Sequence, residues 1–236
     1  MPENEKDQIP PDDYERELTT DEWRLILDKA WQAGIPHVTF TGGEATLRDD
    51  LPELIAHAEK NGQVCGLLTD GLRLLDKGYL NLLLQTGLDH ILFLLQPENE
   101  SSWLALEQVM AEDIFVTVHL TLNVKNIHNA EATLERLAKF NVTSLSLTSA
   151  DASLGDTFDA LRDKAAALGL TLRFDLPVPY SESNPVVYEA QEDAIPEGAG
   201  NAWLYVEPDG DVLPTQGYSG NVLGNLLRDE LKTIYT

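Results

Sequence analysis

The residues of this chain best suited to chemistry stand just after short apolar runs. The first run, His37-Val38-Thr39-Phe40, leads into Thr41-Gly42-Gly43-Glu44, and the second ends in Thr69-Asp70-Gly71. Gly42 and Gly43 carry no Cβ, so their backbone N–H and C=O groups can approach a ligand closely. Glu44 adds a carboxylate beside them, which favours an amine over a phosphate. The same residues also fit a tight strand-to-helix turn with a solvated Glu. Asp70-Gly71 likewise suits a plain turn as well as a ligand contact. Later runs end in Leu95-Gln96-Pro97 and Thr121-Leu122-Asn123.

Other candidate groups offer less. His119, between Val118 and Leu120 in a strand-like run, reads as a satisfied core or lumen-facing histidine rather than a catalytic one. His37, His57, His90 and His128 lack the His or carboxylate spacing of a metal site. Cys65, between Val64 and Gly66, reads as a small core residue. As the single cysteine it excludes an internal disulfide and an all-cysteine metal site built by this chain. No Gly-x-Ser-x-Gly, Walker loop or dinucleotide fingerprint occurs. An acid–base site of Glu44, Asp70 and His119 needs a convergence that their spacing does not show. No catalytic residue and no metal ligand is assigned.

The elements between these residues must position them. β-rich runs begin near His37, Gln63, Asp89, Asp113, Val142 and Leu170, roughly every 25–28 residues. Helical patterns over about 50–61, 76–86, 101–112, 127–140 and 156–168 lie between them, several closed by Gly62, Gly87, Asn141 or Gly169. This repeat predicts βαβ units and a parallel sheet, its strands covered on both faces. Six strands are too few for the eight of a closed barrel, so an open or partial barrel is expected. Before the repeat, Thr19-Thr20-Asp21-Glu22 is a capping box, followed by an apolar stripe that stops at Gly34. After it, residues 202–207 and 212–213 read as strands around a turn at residues 208–211, with a short helix over residues 227–235. The predicted organisation is a flexible acidic leader over residues 1–18, a core over 19–176 and an appendage over 177–236.

Composition narrows the partners. Of 236 residues, 43% are hydrophobic, and 40 Asp and Glu against 16 Lys and Arg give a net charge of −24. Such a chain is repelled by phosphate backbones and anionic membranes, so neither nucleic acid nor a lipid surface is an expected partner. The N-terminus has no apolar signal core, and no apolar run approaches the ~18 residues that span a bilayer. A cytoplasmic location is the expectation.

The order of these pieces resembles the radical S-adenosylmethionine superfamily. Glu17-Leu18-Thr19-Thr20-Asp21-Glu22-Trp23, a helix, Gly34-Ile35-Pro36, a strand, then Thr39-Phe40-Thr41-Gly42-Gly43-Glu44 and the run on to Leu51 match its first helix, second strand and Gly-Gly-Glu motif. Thr69-Asp70-Gly71 resembles its Thr-Asn-Gly segment. The run from Tyr205-Val206-Glu207-Pro208 through Asp209-Gly210-Asp211-Val212-Leu213-Pro214, then Leu223-Gly224-Asn225, resembles the tail of peptide-modifying and cofactor-maturing members.

The resemblance implies an α/β fold, a partial (β/α)6 barrel with a small C-terminal hairpin and helix. It also implies that Gly42, Gly43 and Glu44 hold the amino group of S-adenosylmethionine, with Thr69 and Asp70 near the cofactor. The family's Cys-x-x-x-Cys-x-x-Cys loop and first barrel strand are expected before Thr19, but residues 1–18 hold neither cysteine nor strand pattern. Three thiolates bind a [4Fe–4S] cluster in that family, so no cluster is expected in this chain and only weak S-adenosylmethionine binding. Leu94-Leu95-Gln96 replaces a Ser-x-Asp ribose segment, and Thr215 stands where relatives with an auxiliary cluster carry Cys. The expected function is the body of a radical S-adenosylmethionine protein. Its complete form would cleave the cofactor reductively and abstract hydrogen from an unknown peptide or small molecule, while this chain alone is inactive. The alternative is a non-catalytic barrel scaffold for a peptide or protein partner. A missing first strand would leave residues 37–41 as an open sheet edge, coverable by residues 1–18 or a second copy. The acidic, proline-bearing leader is a poor strand, so a homodimer is expected.

Overall fold

A computed structural model describes residues 16–149, 152–173, 200, 203–214 and 222–234. The chain divides into two compact units, one of residues 35–194 and one joining residues 1–34 to 195–236. The predicted leader lies outside the described residues up to residue 15, as do residues 174–199 and Thr215.

The first helix, α1 (Thr20–Gln32), precedes the strand–helix repeat. In the larger unit, strands β1 (His37–Phe40), β2 (Val64–Thr69), β3 (His90–Leu94), β4 (Phe115–Leu122), β5 (Ser144–Ser149) and β6 (Thr171–Arg173) form one sheet. They are parallel and lie in sequence order. Helices α2 (Leu51–Asn61), α3 (Lys77–Leu84), α4 (Glu100–Met110), α5 (Ala130–Lys139) and α6 (Gly155–Ala167) make the crossovers. The expected α/β partial barrel of parallel strands is what forms, with a small antiparallel appendage.

Register sorts the strand residues onto two faces. Val38, Cys65, Leu67, Ile91, Phe93, Val116, Val118 and Leu145 share one face. It is the face that meets the helices, since Cys65 Sγ lies 3.9 Å from the Ile55 carbonyl of α2. Most of these residues are fully buried, which explains apolar runs without strict alternation. The inner face carries Thr39, Gly66, His90, Thr117, His119, Ser144, Ser146 and Arg173.

Local signals set the helix starts. The Asp76 carboxylate accepts from the Gly78 and Tyr79 amides to open α3, and Asn99 accepts from the Ser101 amide to open α4. Trp103 of α4 is buried and donates its indole N–H to the Pro97 carbonyl at 2.9 Å. Arg136 of α5 lies 4.0 Å over that ring and forks onto Glu100 at 2.9 and 3.0 Å, tying the two helices together.

In the smaller unit, the capping box forms as the sequence predicts, with the Thr19 and Glu22 side chains each bonding the other's backbone. Strands β7 (Tyr205–Val206), β8 (Asp211–Leu213) and β9 (Gly224–Asn225) make an antiparallel sheet, and α7 (Leu231–Ile234) falls inside the expected helix. Strand β9 is an addition, too short to show any periodicity. The Leu18 amide donates to the Pro208 carbonyl, and Lys29 Nζ donates to the Leu226 and Asp229 carbonyls. Among the described residues no helix is long and apolar enough to cross a membrane.

Gly71 is held at φ 77°, and a Cβ there would lie 2.1 Å from the buried Phe93 ring. Gly71→Ala is therefore expected to lower the unfolding free energy by about 2–4 kcal/mol in urea titration, from backbone strain and overpacking together. An unchanged midpoint would contradict this packing.

Candidate functional site

The chain leaves β1 at Phe40 and turns through Gly42, whose φ of 139° suits glycine, into a short 3-10 turn over Ala45–Leu47. Glu44 closes that turn with its side chain. Its Oε1 accepts from the Thr46 amide at 3.0 Å, the Thr46 hydroxyl at 2.6 Å and the Thr69 hydroxyl at 2.8 Å. Its Oε2 accepts from the Asp70 amide at 2.8 Å. These donors match the roughly four acceptor positions a carboxylate offers, and they fasten the end of β1 to the end of β2. Thr69 Oγ1 in turn accepts from the Gly71 amide at 3.0 Å, and Asp70 Oδ1 accepts from the Leu72 amide at 2.9 Å. Gly42, Gly43, Glu44, Thr69 and Asp70 thus converge at one end of two adjacent strands.

A further layer holds Thr46, which is fully buried. Its carbonyl accepts from the Tyr79 hydroxyl at 3.3 Å and from the Arg73 guanidinium, which also lies 4.2 Å over the Tyr79 ring. Burial pushes the Tyr79 phenol up, Arg73 pulling the other way, so Tyr79 stays a neutral donor at physiological pH.

Two observations mark room for a ligand here. Among the described residues, no heavy atom beyond their chain neighbours lies within 4 Å of where a Cβ at Gly42 or Gly43 would stand. Thr41 Oγ1, immediately before them, is buried without a hydrogen-bond partner. An unmet hydroxyl beside open glycine backbone fits the polar amino-acid end of S-adenosylmethionine. An iron–sulfur cluster does not fit. The one thiol, Cys65, is fully buried in β2. Burial, then the Asp89 and Glu59 carboxylates, push it up to about 11, far from the thiolate a metal needs. Among the described residues, no group of three or more His, Cys, Asp or Glu side chains is placed to hold a metal ion.

The remaining candidates fall into structural places. The Gln96 amide donates to Ser102 Oγ at 3.2 Å, and its Oε1 accepts from Asn99 Nδ2 at 3.1 Å, closing the entry to α4. Asn126 Nδ2 donates to the Thr121 carbonyl at 2.8 Å, bracing the end of β4. His119 is the satisfied inner-face histidine that its setting suggests. It is 1% exposed, with Nδ1 3.0 Å from Ser146 Oγ and Nε2 3.1 Å from Thr121 Oγ1.

Register also assembles groups that the linear sequence leaves apart. Thr117 and Ser144 hydroxyls lie 2.9 Å apart and Thr148 reaches His119, giving β4 and β5 a continuous polar inner face. His37 and His90, on strands either side of β2, bring their rings to 5.0 Å because Gly66 between them has no side chain. Burial first, then His37, hold the His90 imidazole below its usual range. Alternating Ser and Thr at matched positions of two apolar runs was the available signal for the polar face. The ring pair had none.

Residues 4–110 match the sequence profile of the Radical SAM superfamily. Over 75 residues the chain is 43% identical to the PqqA peptide cyclase of Granulibacter bethesdensis, a stretch of 32% of this chain and 20% of that protein. The PqqA peptide cyclase of Streptomyces rochei is 27% identical over 227 residues, 85% of this chain and 61% of that one. The chain therefore spans less than two thirds of the length of either relative. Among solved structures, anSMEcpe with bound AdoMet and a Cp18Cys peptide aligns at TM-score 0.69 and 15% identity, over 92% of this chain and 72% of that one. SuiB of Streptococcus suis bound to precursor peptide SuiA gives 0.67 at 14%, over 92% and 57%. At such identities the structural likeness speaks for the fold. The profile match takes in the Gly-Gly-Glu turn at the mouth of β1 and strands β1 to β3, so a radical SAM superfamily domain is present in this chain.

Proposed function

We propose that this chain is the cofactor- and peptide-binding body of a radical S-adenosylmethionine protein. The turn of residues 41–44, with residues 69 and 70 beside it, would hold the amino-acid end of S-adenosylmethionine. The carrying observation is the buried, unpartnered Thr41 hydroxyl next to the open backbone of Gly42 and Gly43. Glu44 then serves as a positioning residue. Its carboxylate fixes the turn from within, and the glycine carbonyls and Thr41 are left to meet the ammonium. When bound in a cluster-bearing enzyme, S-adenosylmethionine supplies a carbon-centred radical. Cys65 cannot contribute to such a cluster, so the proposed role of this chain by itself is binding. The substrate class proposed is a peptide, by likeness to the peptide cyclases and peptide-bound structures above. The buried lone thiol equally favours a second reading, a non-catalytic scaffold that binds the peptide with no need of the cofactor.

Sheet assembly bears on partners too. Among the described residues β1 pairs with β2 alone, and its residues alternate between exposed and half-buried. We propose that a second copy covers this edge, in the manner of exposed strands that lack charge or proline.

Calorimetry should give a dissociation constant for S-adenosylmethionine of about 100 μM or weaker, near −5.5 kcal/mol. Glu44→Ala should abolish binding and lower stability by about 2–3 kcal/mol, because it strands buried donors. Thr41→Val separates the roles, since it removes the unpartnered hydroxyl and leaves the clamp whole. It should weaken cofactor binding while stability holds or rises by about 1 kcal/mol. Binding unaffected by both changes would place the site elsewhere.

Anaerobic reconstitution with iron and sulfide should load no stoichiometric cluster. A charge-transfer band with about four irons per chain would defeat the assignment of Cys65 to the core.

Light scattering at micromolar concentration should report a dimer, and Val38→Lys should shift it towards monomer. A wild-type monomer would dispose of the covered edge.

A further inference from the structure

Among the described residues, the strands of the parallel sheet hold no Asp, Glu or Lys and a single Arg, Arg173 on β6. In a chain with 40 acidic residues, Arg16, Arg24, Arg48, Arg73, Arg136 and Arg162 each pair with a carboxylate. Arg173 has no such pair among the described residues. Its Nε donates to Ser144 Oγ at 3.3 Å, and Ser144 is joined to Thr117. Among the described residues the two terminal nitrogens of the guanidinium, the pair that matches a carboxylate, meet no acidic partner.

Register ties this group to the proposed cofactor turn. Arg173 stands opposite Ser146, Ser146 opposite His119, and His119 opposite Leu94. Thr69, opposite Phe93 and one residue short of Leu94's row, ends β2, and Asp70, whose amide Glu44 holds, follows it. Four strand-to-strand steps separate β2, which ends beside the turn, from β6, at most about 19 Å along the curved sheet.

We propose that Arg173, braced by Ser144, anchors a carboxylate side chain of the peptide substrate on the inner face. The inference rests on the peptide reading above and specifies the peptide's chemistry. The overall negative charge of the chain repels acidic ligands, so a single cation among the described strands, on a hydroxyl-lined face, selects one carboxylate by position rather than by bulk attraction. At about 3.4 Å per extended residue, the anchored Glu or Asp lies within about six residues of the position facing the turn.

The test uses the full chain without cofactor, fluorescently labelled, on an array of capped octapeptides in Glu and Gln twins. Wild type should be retained about three- to tenfold more on the Glu peptides, a preference opposite to that of a bulk acidic protein. Arg173→Ala should erase the difference, and Arg173→Lys should keep part of it. Arg173 is exposed, so melting curves of these variants should overlay wild type. Equal retention of the twins by wild type, or a preference that survives Arg173→Ala, overturns the carboxylate anchor and leaves peptide binding standing. Retention of neither twin removes the peptide reading and the anchor together.

Discussion

The architecture of the site hangs on one carboxylate. Glu44 collects donors from its own turn and from the end of the neighbouring strand, so the β1 and β2 termini cannot move independently. A charge in this position is tolerated because its acceptor capacity is met inside the protein. Thr46, the hub on the other side, is held in turn by Tyr79 and Arg73 from the next crossover. Rigidity therefore passes outward from the turn to α3. Gly42 and Gly43, with no described residue packed against them, stay open in the midst of this bracing.

The sheet behind the turn has two chemistries. Its outer face is a dry core against the helices, and its inner face on β4 to β6 is a lattice of hydroxyls around one histidine and one arginine. Burying His119 costs little because both ring nitrogens have hydroxyl partners. The polar lattice also fixes side-chain rotamers, so a ligand on this face would meet a surface already organised.

How far this was legible in the sequence follows from the range of each interaction. Apolar runs punctuated by Gly62, Gly87, Asn141 and Gly169 foretell the strand–helix alternation because each signal is local. The capping box at Thr19 and Glu22 is legible for the same reason. The fourfold engagement of Glu44 is not, since Thr69 and Asp70 reach it from 25 and 26 residues away. The meeting of His37 and His90 depends on Gly66 in a third strand, which no spacing rule connects to either. The inner-face row from Leu94 to Arg173 exists only once register is set. Strand β9 escaped because two residues carry no period.

The sequential strand order also shapes how the larger unit can come together. Paired residues in its ladders are all 24 to 27 positions apart, so every strand added closes a loop of nearly the same length. Loop-closure entropy is thus almost equal at each step, and no ladder waits for a remote segment. Such a sheet can grow by accretion, each new strand templated by the one before. On a ribosome, β1 and β2 would pair long before β6 is made, and the Glu44 clamp would be among the earliest tertiary contacts in place. The order of synthesis and the order of assembly coincide.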